Sequence, residues 1–306
     1  MYRRIFLCYL MFVCVPAQAI DRIKPFSNSQ YAIAGEMEFH YRVWAMDGGN
    51  AIGHVLLIHG FGGSTFSWEE VADSLHSLDY EVIAVDIPPF GYSDKDHRIN
   101  QSRTAHAKRI HQLLQQELPG RKWHLAGHSM GGAIAQAYAL MYPEDLLSVT
   151  FVAPVLFSNL RPDDGDVRFL LRSSPLSWLA GELAEEWLIN AGRVEGLLAS
   201  AYGTEPSETQ VAAYLEPLLI PGTARAILSS PVYYQEVDRL DAADLAVPAK
   251  AIWGDADDWV SWESQKNTLD RMPEIDLVQL EGVGHNPMET HFEEFMRAWL
   301  PFLEAF

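Results

Sequence analysis

The chain has 306 residues, enough for one large or two small domains, and 48% of them are hydrophobic, which is ample material for a core. Its 41 acidic residues outnumber its 22 basic residues, for a formal net charge of -19. Such an acidic chain argues against nucleic acid and against anionic membrane surfaces as partners.

The first nineteen residues have the pattern of an export signal. Two arginines precede a continuous apolar run at 5–15, and an A-x-A cleavage site follows at 17–19. Because the run is too short to span a bilayer, we expect a cleaved leader, no stable membrane insertion afterwards, and a periplasmic or secreted protein. An uncleaved N-terminal anchor is the alternative. Both cysteines, Cys8 and Cys14, lie in this leader, so the mature chain would have neither a disulfide nor a cysteine nucleophile.

The rest of the chain alternates strand-like and helix-like segments. Short apolar runs predict strands, and longer stretches with apolar residues at helical spacing predict helices. After a polar lead-in at 20–31, strands are predicted at 38–44, 54–58, 81–87, 123–126 and 147–153, and helices at 68–78, 102–118 and 133–140. Apolar strands separated by helices favour a parallel sheet that is covered on both faces.

This alternation stops after the strand at 147–153. No strand-like run occurs between about 156 and 240, where helical segments are predicted at 169–171, 176–190, 194–201, 209–219 and 223–229. Such a long break predicts an inserted helical subdomain. The alternation resumes with strands at 249–253 and 276–280 and helices at 261–272 and 291–303. We therefore predict a core formed by 20–155 and 241–306, with a helical insertion over 156–240.

The motif that organises the chemistry lies between the strand at 123–126 and the helix at 133–140. Residues 127–131 read G-H-S-M-G, which is a G-x-S-x-G elbow in the strand–turn–helix context that it requires. A serine at such a sharp turn has a strained backbone, and neighbours without Cβ atoms avoid collision. The turn exposes the hydroxyl, so Ser129 is the predicted nucleophile.

Two other strand ends carry the partners that a serine nucleophile needs. Reactive groups in an open parallel sheet belong just past the carboxyl ends of its strands. The strand at 249–253 is followed by three aspartates, Asp255, Asp257 and Asp258, and the strand at 276–280 by His285. The resulting order Ser…Asp…His differs from the orders of the chymotrypsin- and subtilisin-type proteases.

With these motifs the chain resembles the α/β-hydrolase family over nearly all of its mature length except the insertion. The segments that carry the resemblance are HGFGG (59–63), DIPPFGYS (86–93), GHSMGG (127–132), WGDADDWV (253–260) and GHNPMET (284–290). The resemblance implies a mostly parallel, doubly wound sheet and an inserted all-helical cap that roofs the site. Pro89 stands where the family usually has glycine, in a loop that borders the site in the family.

The resemblance also implies site roles. The acid is Asp257, with Asp255 and Asp258 as alternatives, and the base is His285, which would take the serine proton and pass it to the leaving group. The oxyanion hole would be formed by the amides of Met130, which follows the nucleophile at a helix start, and of Phe61. Supporting loop positions are His59, Gly60, Gly62, Gly127, His128 and Gly131.

Other polar and aromatic residues are given structural interpretations. His106 and His111 are expected on the solvated face of a helix. The aromatic residues of the insertion are expected in its core or lining the pocket: Trp178, Trp187, Tyr202 and Tyr214. No metal-ligand spacing and no dinucleotide fingerprint occurs in the sequence, so no cofactor is expected.

A serine at the elbow excludes the branches of the family that use aspartate as nucleophile, the haloalkane dehalogenases and epoxide hydrolases. The expected activity is therefore a carboxylesterase on a small to medium apolar ester, through an acyl-serine intermediate. One alternative is a carbon–carbon bond hydrolase of aromatic ring-cleavage products. Another is a ligand-binding relative with a vestigial triad. The natural substrate and the oligomeric state stay open.

Overall fold

The computed structural model describes residues 24–46, 48, 51–161 and 189–306. The predicted leader, both cysteines, the predicted helix at 169–171 and nearly all of the one at 176–190 lie outside the described residues, as do Trp178 and Trp187.

Eight strands form the central sheet. They are β1 (Ser29–Ala34), β2 (Met37–Trp44), β3 (Gly53–Ile58), β4 (Tyr80–Val85), β5 (Trp123–His128), β6 (Leu146–Val152), β9 (Ala249–Gly254) and β10 (Asp276–Leu280). Their order in the sheet is β1-β2-β4-β3-β5-β6-β9-β10. The pairs β1–β2 and β2–β4 are antiparallel, and every pair from β4 to β10 is parallel. The predicted mostly parallel sheet is confirmed.

The described helices lie between and beside these strands. They are α1 (Glu69–Ser77), α2 (Arg103–Glu117), α3 (Met130–Met141), α4 (Ala191–Tyr202), α5 (Glu208–Leu218), α6 (Thr223–Tyr233), α7 (Trp262–Leu269), α8 (Pro287–Thr290) and α9 (Phe292–Leu303). Among the described residues, no single helix is long and apolar enough to cross a membrane. Glu208–Leu218 and Thr223–Ser230 together meet that length and composition, but they meet at a bend of 78°.

The sheet separates two hydrophobic clusters, which explains the apolar character of its central strands on both faces. In β3, Leu56 and Ile58 belong to one cluster, and Val55 and Leu57 belong to the other. Successive side chains of a strand point to opposite faces, so each strand supplies both cores. Residues of α2 and α3 fill the first cluster, and residues of α1 and α9 fill the second.

Three helices, α4, α5 and α6, make up the described part of the insertion, and we call them the cap helices. Where the chain leaves and re-enters the core, two short strands, β7 (Asn159–Leu160) and β8 (Leu240–Asp241), pair antiparallel. The sequence predicted no strand between about 156 and 240, and this prediction is wrong, because β7 lies within that range. Two residues give too short a pattern for hydrophobic periodicity to predict.

The sequence also missed β1, which lies in the predicted polar lead-in and just beyond it. This strand is at the edge of the sheet, and most of its side chains are partly or fully exposed, including Ile33. An edge strand pairs on one side only, so its composition is not forced to be apolar. The helix after the elbow also begins earlier than predicted, at Met130. Its first turn contains two glycines, which are weak helix formers and did not indicate a helix.

Candidate active site

Ser129 lies at a strained turn between β5 and α3. Its φ of 51° and ψ of -116° lie in a region that L-residues rarely adopt. The backbone holds it there, since its amide donates to Val152 O (2.9 Å) and its carbonyl accepts from the amides of Gly132 and Val155 (2.9 and 3.0 Å). Ser129 is 9% exposed, at the surface of a cavity.

The flanking glycines are required by close approach. A Cβ at Gly127 would lie 2.3 Å from the carbonyl oxygen of Gly131, and a Cβ at Gly131 would lie 2.5 Å from that of His59. Both contacts are with backbone atoms, which cannot move away cheaply. Only glycine therefore lets α3 begin directly against the end of β3.

His285 and Asp257 form a buried hydrogen-bonded pair. His285 Nδ1 lies 2.7 Å from Asp257 Oδ2, and the other oxygen, Oδ1, accepts from the amides of Trp259 and Val260 (2.9 Å each). With Nδ1–H donated to the carboxylate, Nε2 is the basic nitrogen of the ring. The Trp259 indole stacks beside the imidazole, with ring centroids 5.7 Å apart.

The two alternative acids do not contact His285. Asp255 and Asp258 are both exposed, and Asp255 Oδ1 accepts from the amide of Gly282 at 2.6 Å. Of the three aspartates, the fold brings only Asp257 to the histidine.

Ser129 and His285 line one cavity of about 420 Å³, which we call the cap chamber. Its roof comes mainly from α4 and α5, with Val194, Leu198 and Leu218 among the lining side chains. No hydrogen bond joins Ser129 Oγ to the His285 ring within the described residues. Such bonds often tighten only when substrate binds, so the shared cavity is the relevant observation.

Two backbone amides beside the serine are without a hydrogen-bond partner in the described part of the chain. They belong to Met130, the first residue of α3, and to Phe61, in the loop after β3. A glycine at position 60 lets this loop approach the elbow, because a Cβ there would lie 3.1 Å from Ser129 Cβ and 2.7 Å from His128 Nδ1. Gly62 has a φ of +74°, which favours glycine.

The alpha/beta hydrolase fold family matches residues 53–292, which is most of the chain. The chain is an α/β hydrolase. It is similar to Lipase 1 of Psychrobacter immobilis, with 27% identity over 267 residues that cover 86% of this chain and 81% of that protein. It is also similar to Lipase 3 of Moraxella sp. (strain TA144), with 27% identity over 239 residues, 76% of this chain and 72% of that one. These relatives make it a lipase- and esterase-like member of the family.

A solved serine hydrolase involved in carbazole degradation has the same fold as this α/β hydrolase. The TM-score is 0.71 at 20% identity, and the match covers 91% of this chain and 99% of that one.

Two histidines of this hydrolase brace the loops around the serine. His59 uses both ring nitrogens: Nδ1 donates to Gly60 O (2.7 Å), and Nε2 accepts from the amide of Ile87 (2.9 Å). His128 Nε2 donates to the carbonyl oxygen of His285 at 2.9 Å. Burial lowers the pKa of both imidazoles, so both are neutral. Their contacts tie the β3, β4 and His285 loops together.

The loop that departs from the family pattern reaches the site through Phe90. Residues 88 and 89 are joined by a cis peptide bond, and the Phe90 ring packs edge-on against Phe61 at 4.9 Å. The loop is anchored by Asp86, which accepts from the amides of Thr65 (2.6 Å) and Tyr92 (2.7 Å). Burial alone would raise the pKa of Asp86, but the neighbouring imidazoles and these hydrogen bonds hold it below its usual value.

The prediction that His106 lies on the solvated face of a helix is wrong. His106 is only 4% exposed, and burial lowers its pKa to about 3. The cap covers the beginning of α2, where Gln101 Nε2 donates to Ala226 O (3.2 Å) and Arg103 Nε to Glu236 (3.0 Å). Residues of the core and of the insertion thus surround this face of α2.

His111, five residues further along α2, is partly exposed. Its Nδ1 lies 2.7 Å from Asp145 Oδ2, and its ring stacks on Tyr142 at 3.9 Å. It therefore lies at the surface but has specific partners there.

Sequence reasoning also missed Glu289, which ties the cap helices to the loop of His285. Its carboxylate accepts from the hydroxyls of Tyr202 in α4 (2.8 Å) and Tyr214 in α5 (2.7 Å), and from the Asn286 amide group (2.8 Å). Burial raises its pKa. The amide of His285 itself donates to the carbonyl oxygen of Ala201 in α4 (2.7 Å). The cap thus helps to hold the histidine in place.

Four buried imidazoles predict that stability falls in acid: His59, His106, His124 and His128. Burial lowers the pKa of each, to about 3 for His106 and about 4 for His124. Below pH 6.5 the unfolded chain then binds more protons than the folded chain, so the free energy of unfolding decreases as the pH falls from about 6.5 towards 3. Each fully shifted site contributes at most about 1.4 kcal/mol per pH unit.

Urea unfolding at pH 7 and at pH 4.5 measures this loss. His106→Leu removes one of the four differences in proton binding, so its stability should decline less steeply than that of the wild type. Equal declines in the two proteins would contradict the assignment.

Proposed function

We propose that this α/β hydrolase cleaves carboxylic esters of small to medium apolar substrates through an acyl-serine intermediate. The observation that carries the proposal is the buried pair of His285 and Asp257, 2.7 Å apart, whose histidine lines the same cavity as the strained Ser129. A strained elbow and a buried carboxylate both reduce the stability of the fold. A relative that only binds a ligand would have little need for either of them.

The geometry supports the following sequence of steps. Ser129 Oγ attacks the ester carbonyl carbon while His285 Nε2 takes its proton. The amides of Phe61 and Met130 donate to the developing oxyanion, and each such donor is typically worth about 3 kcal/mol in the transition state. The imidazolium, stabilised by Asp257, then protonates the leaving alkoxide. In the second half of the reaction, water attacks the acyl-serine while His285 takes the proton of the water and passes it to Ser129 Oγ.

The size and lining of the cap chamber support the substrate class. Its volume of about 420 Å³ is at the lower end of the range of ligand pockets, about 300–1,000 Å³. The cap contributes mostly aliphatic side chains, among them Leu197, Leu198, Leu218 and Ile227. An apolar alcohol or acyl group of moderate size matches such a lining, and a highly charged substrate does not.

A fluorophosphonate probe combined with p-nitrophenyl esters of graded acyl length tests this function. We expect labelling of Ser129, located by peptide mass spectrometry, and hydrolysis that is fastest for short to medium chains. Absence of labelling in the folded protein would contradict every serine-hydrolase mechanism. Faster turnover of a vinylogous diketone than of any ester would instead favour carbon–carbon bond hydrolysis.

A further inference from the structure

A second cavity of about 280 Å³ adjoins the proposed active site, and we call it the side chamber. The side chains of Phe61 and Met130, whose amides face the oxyanion in the proposed mechanism, line its inner end. Phe61 and Ile227 line both chambers, so these two side chains separate them. Most of the remaining wall is apolar and includes Phe90 and Ile134.

Several polar side chains also line the side chamber, and His106 is one of them. Its side chain is at least nine-tenths buried, yet its imidazole makes no hydrogen bond within the described residues, and its Nδ1 is fully buried. Nearly all buried polar groups in folded proteins are hydrogen-bonded, because an unsatisfied one is costly. The ring is neutral, since burial lowers its pKa to about 3, and so it offers one donor and one acceptor.

The charges around the chamber are already balanced. Arg103 also lines it, but its Nε donates to Glu236 Oε1 (3.0 Å), and this glutamate is buried. The second oxygen of Glu236 accepts from the Thr104 hydroxyl at 2.7 Å. Among the described side chains that line the chamber, Arg103 is the one permanent cation, and an anionic ligand beside it would also meet this buried carboxylate. The chamber therefore favours an uncharged polar group.

The positions of the two chambers determine which part of an ester each receives. The leaving alkoxide must lie near His285, which protonates it, and His285 lines the cap chamber but not the side chamber. The acyl group stays bonded to the serine, and its chain extends from the carbonyl carbon away from the leaving alkoxide. Met130, the residue after the nucleophile, lines the chamber on that side.

We propose that the side chamber receives the acyl chain of the substrate, and that His106 hydrogen-bonds an uncharged oxygen on that chain, a ketone or a hydroxyl. The inference rests on the proposed ester hydrolysis and makes it more specific: the preferred substrates are esters of oxygenated acids. His106 is then a specificity-determining residue that takes no part in proton transfer at the serine.

The test compares p-nitrophenyl esters of hexanoate, heptanoate and octanoate with their 5-oxo, 6-oxo and 7-oxo counterparts. The wild type should prefer at least one oxo ester over its parent by about tenfold or more in kcat/KM. His106→Leu should abolish this preference through a loss of roughly 10- to 100-fold on the oxo ester, with the parent ester changed by less than about threefold. His106→Asn, which keeps a donor and an acceptor, should retain part of it.

A matched control lies on the same helix: His111→Leu, outside the chamber, should keep the full preference of the wild type. Thermal unfolding should show His106→Leu to be folded and at least as stable as the wild type, because an unsatisfied buried group is removed. Since the preference is first measured on the wild type, the proposal does not depend on the variant folding.

Three results would overturn the inference while the proposed function stands, as shown by continued ester hydrolysis and fluorophosphonate labelling. They are equal rates on oxo and parent esters at all three lengths, an oxo preference that persists in His106→Leu, and a stronger preference for p-nitrophenyl hydrogen adipate, whose carboxylate is charged. The first of these would mean that a water molecule alone satisfies His106. Loss of all hydrolysis and labelling would instead remove the proposed function, and this inference with it.

Discussion

Ser129→Ala should lower kcat for ester hydrolysis by roughly 10⁵- to 10⁶-fold and abolish fluorophosphonate labelling. The variant lacks the hydroxyl that forms the acyl-enzyme in the proposed mechanism, so the residual rate would come from the oxyanion amides and substrate binding. The fold should be unaffected, because the hydrogen bonds that hold this residue involve its backbone and not its hydroxyl. Steady-state kinetics and thermal unfolding of the two proteins measure both effects.

Ser67 provides a matched control, since its hydroxyl lines the same cap chamber and is largely buried. It lies 2.9 Å from the Tyr214 hydroxyl and does not contact His285. Ser67→Ala should keep the label and change the hydrolysis rate by less than about tenfold. If Ser129→Ala retained substantial turnover, the nucleophile would have been assigned to the wrong residue.

The features that the sequence predicted are those specified by short stretches of chain. The central strands are apolar on both faces because each supplies two cores, and this leaves a signal within six residues, as in β3. The elbow motif is equally short. A Cβ at Gly127 would collide with the backbone of Gly131 in the same turn, and a Cβ at Gly131 would collide with the backbone of His59 at the end of β3. Family membership and the mostly parallel character of the sheet follow from such segments.

The features that the sequence did not predict depend on contacts between distant parts of the chain. His106 has the spacing of a surface residue on α2, but it is buried at a chamber lined both by core residues such as Ile134 and by cap residues such as Ile227, more than 100 positions later. Glu289 is likewise meaningful only beside Tyr202 and Tyr214, 87 and 75 residues away in sequence. No local pattern records such pairings, so one sequence alone could not identify the cap as a support of the His285 loop.

Asp257→Asn should reduce kcat by about 10⁴-fold with little change in fold. The carboxylate accepts three hydrogen bonds, from the His285 ring and from the amides of Trp259 and Val260. An asparagine has one oxygen for these donors. If its NH₂ group faces the imidazole, the ring must take the tautomer whose Nε2 carries the proton, and Nε2 then cannot accept from Ser129. If the NH₂ group instead faces the loop, it points at two backbone N–H groups, which also need an acceptor.

The neighbouring aspartates provide matched controls. Asp255→Asn and Asp258→Asn each remove one negative charge, as Asp257→Asn does, at positions within two residues of Asp257. Both side chains are exposed, and Asp255 Oδ1 accepts from the amide of Gly282, so each variant should retain activity within about threefold. Measuring kcat for the three variants at one pH separates tautomer control from the loss of a negative charge near the site. Equal losses in all three would mean that the field of the acidic loop, and not the 2.7 Å contact with His285, supports the base.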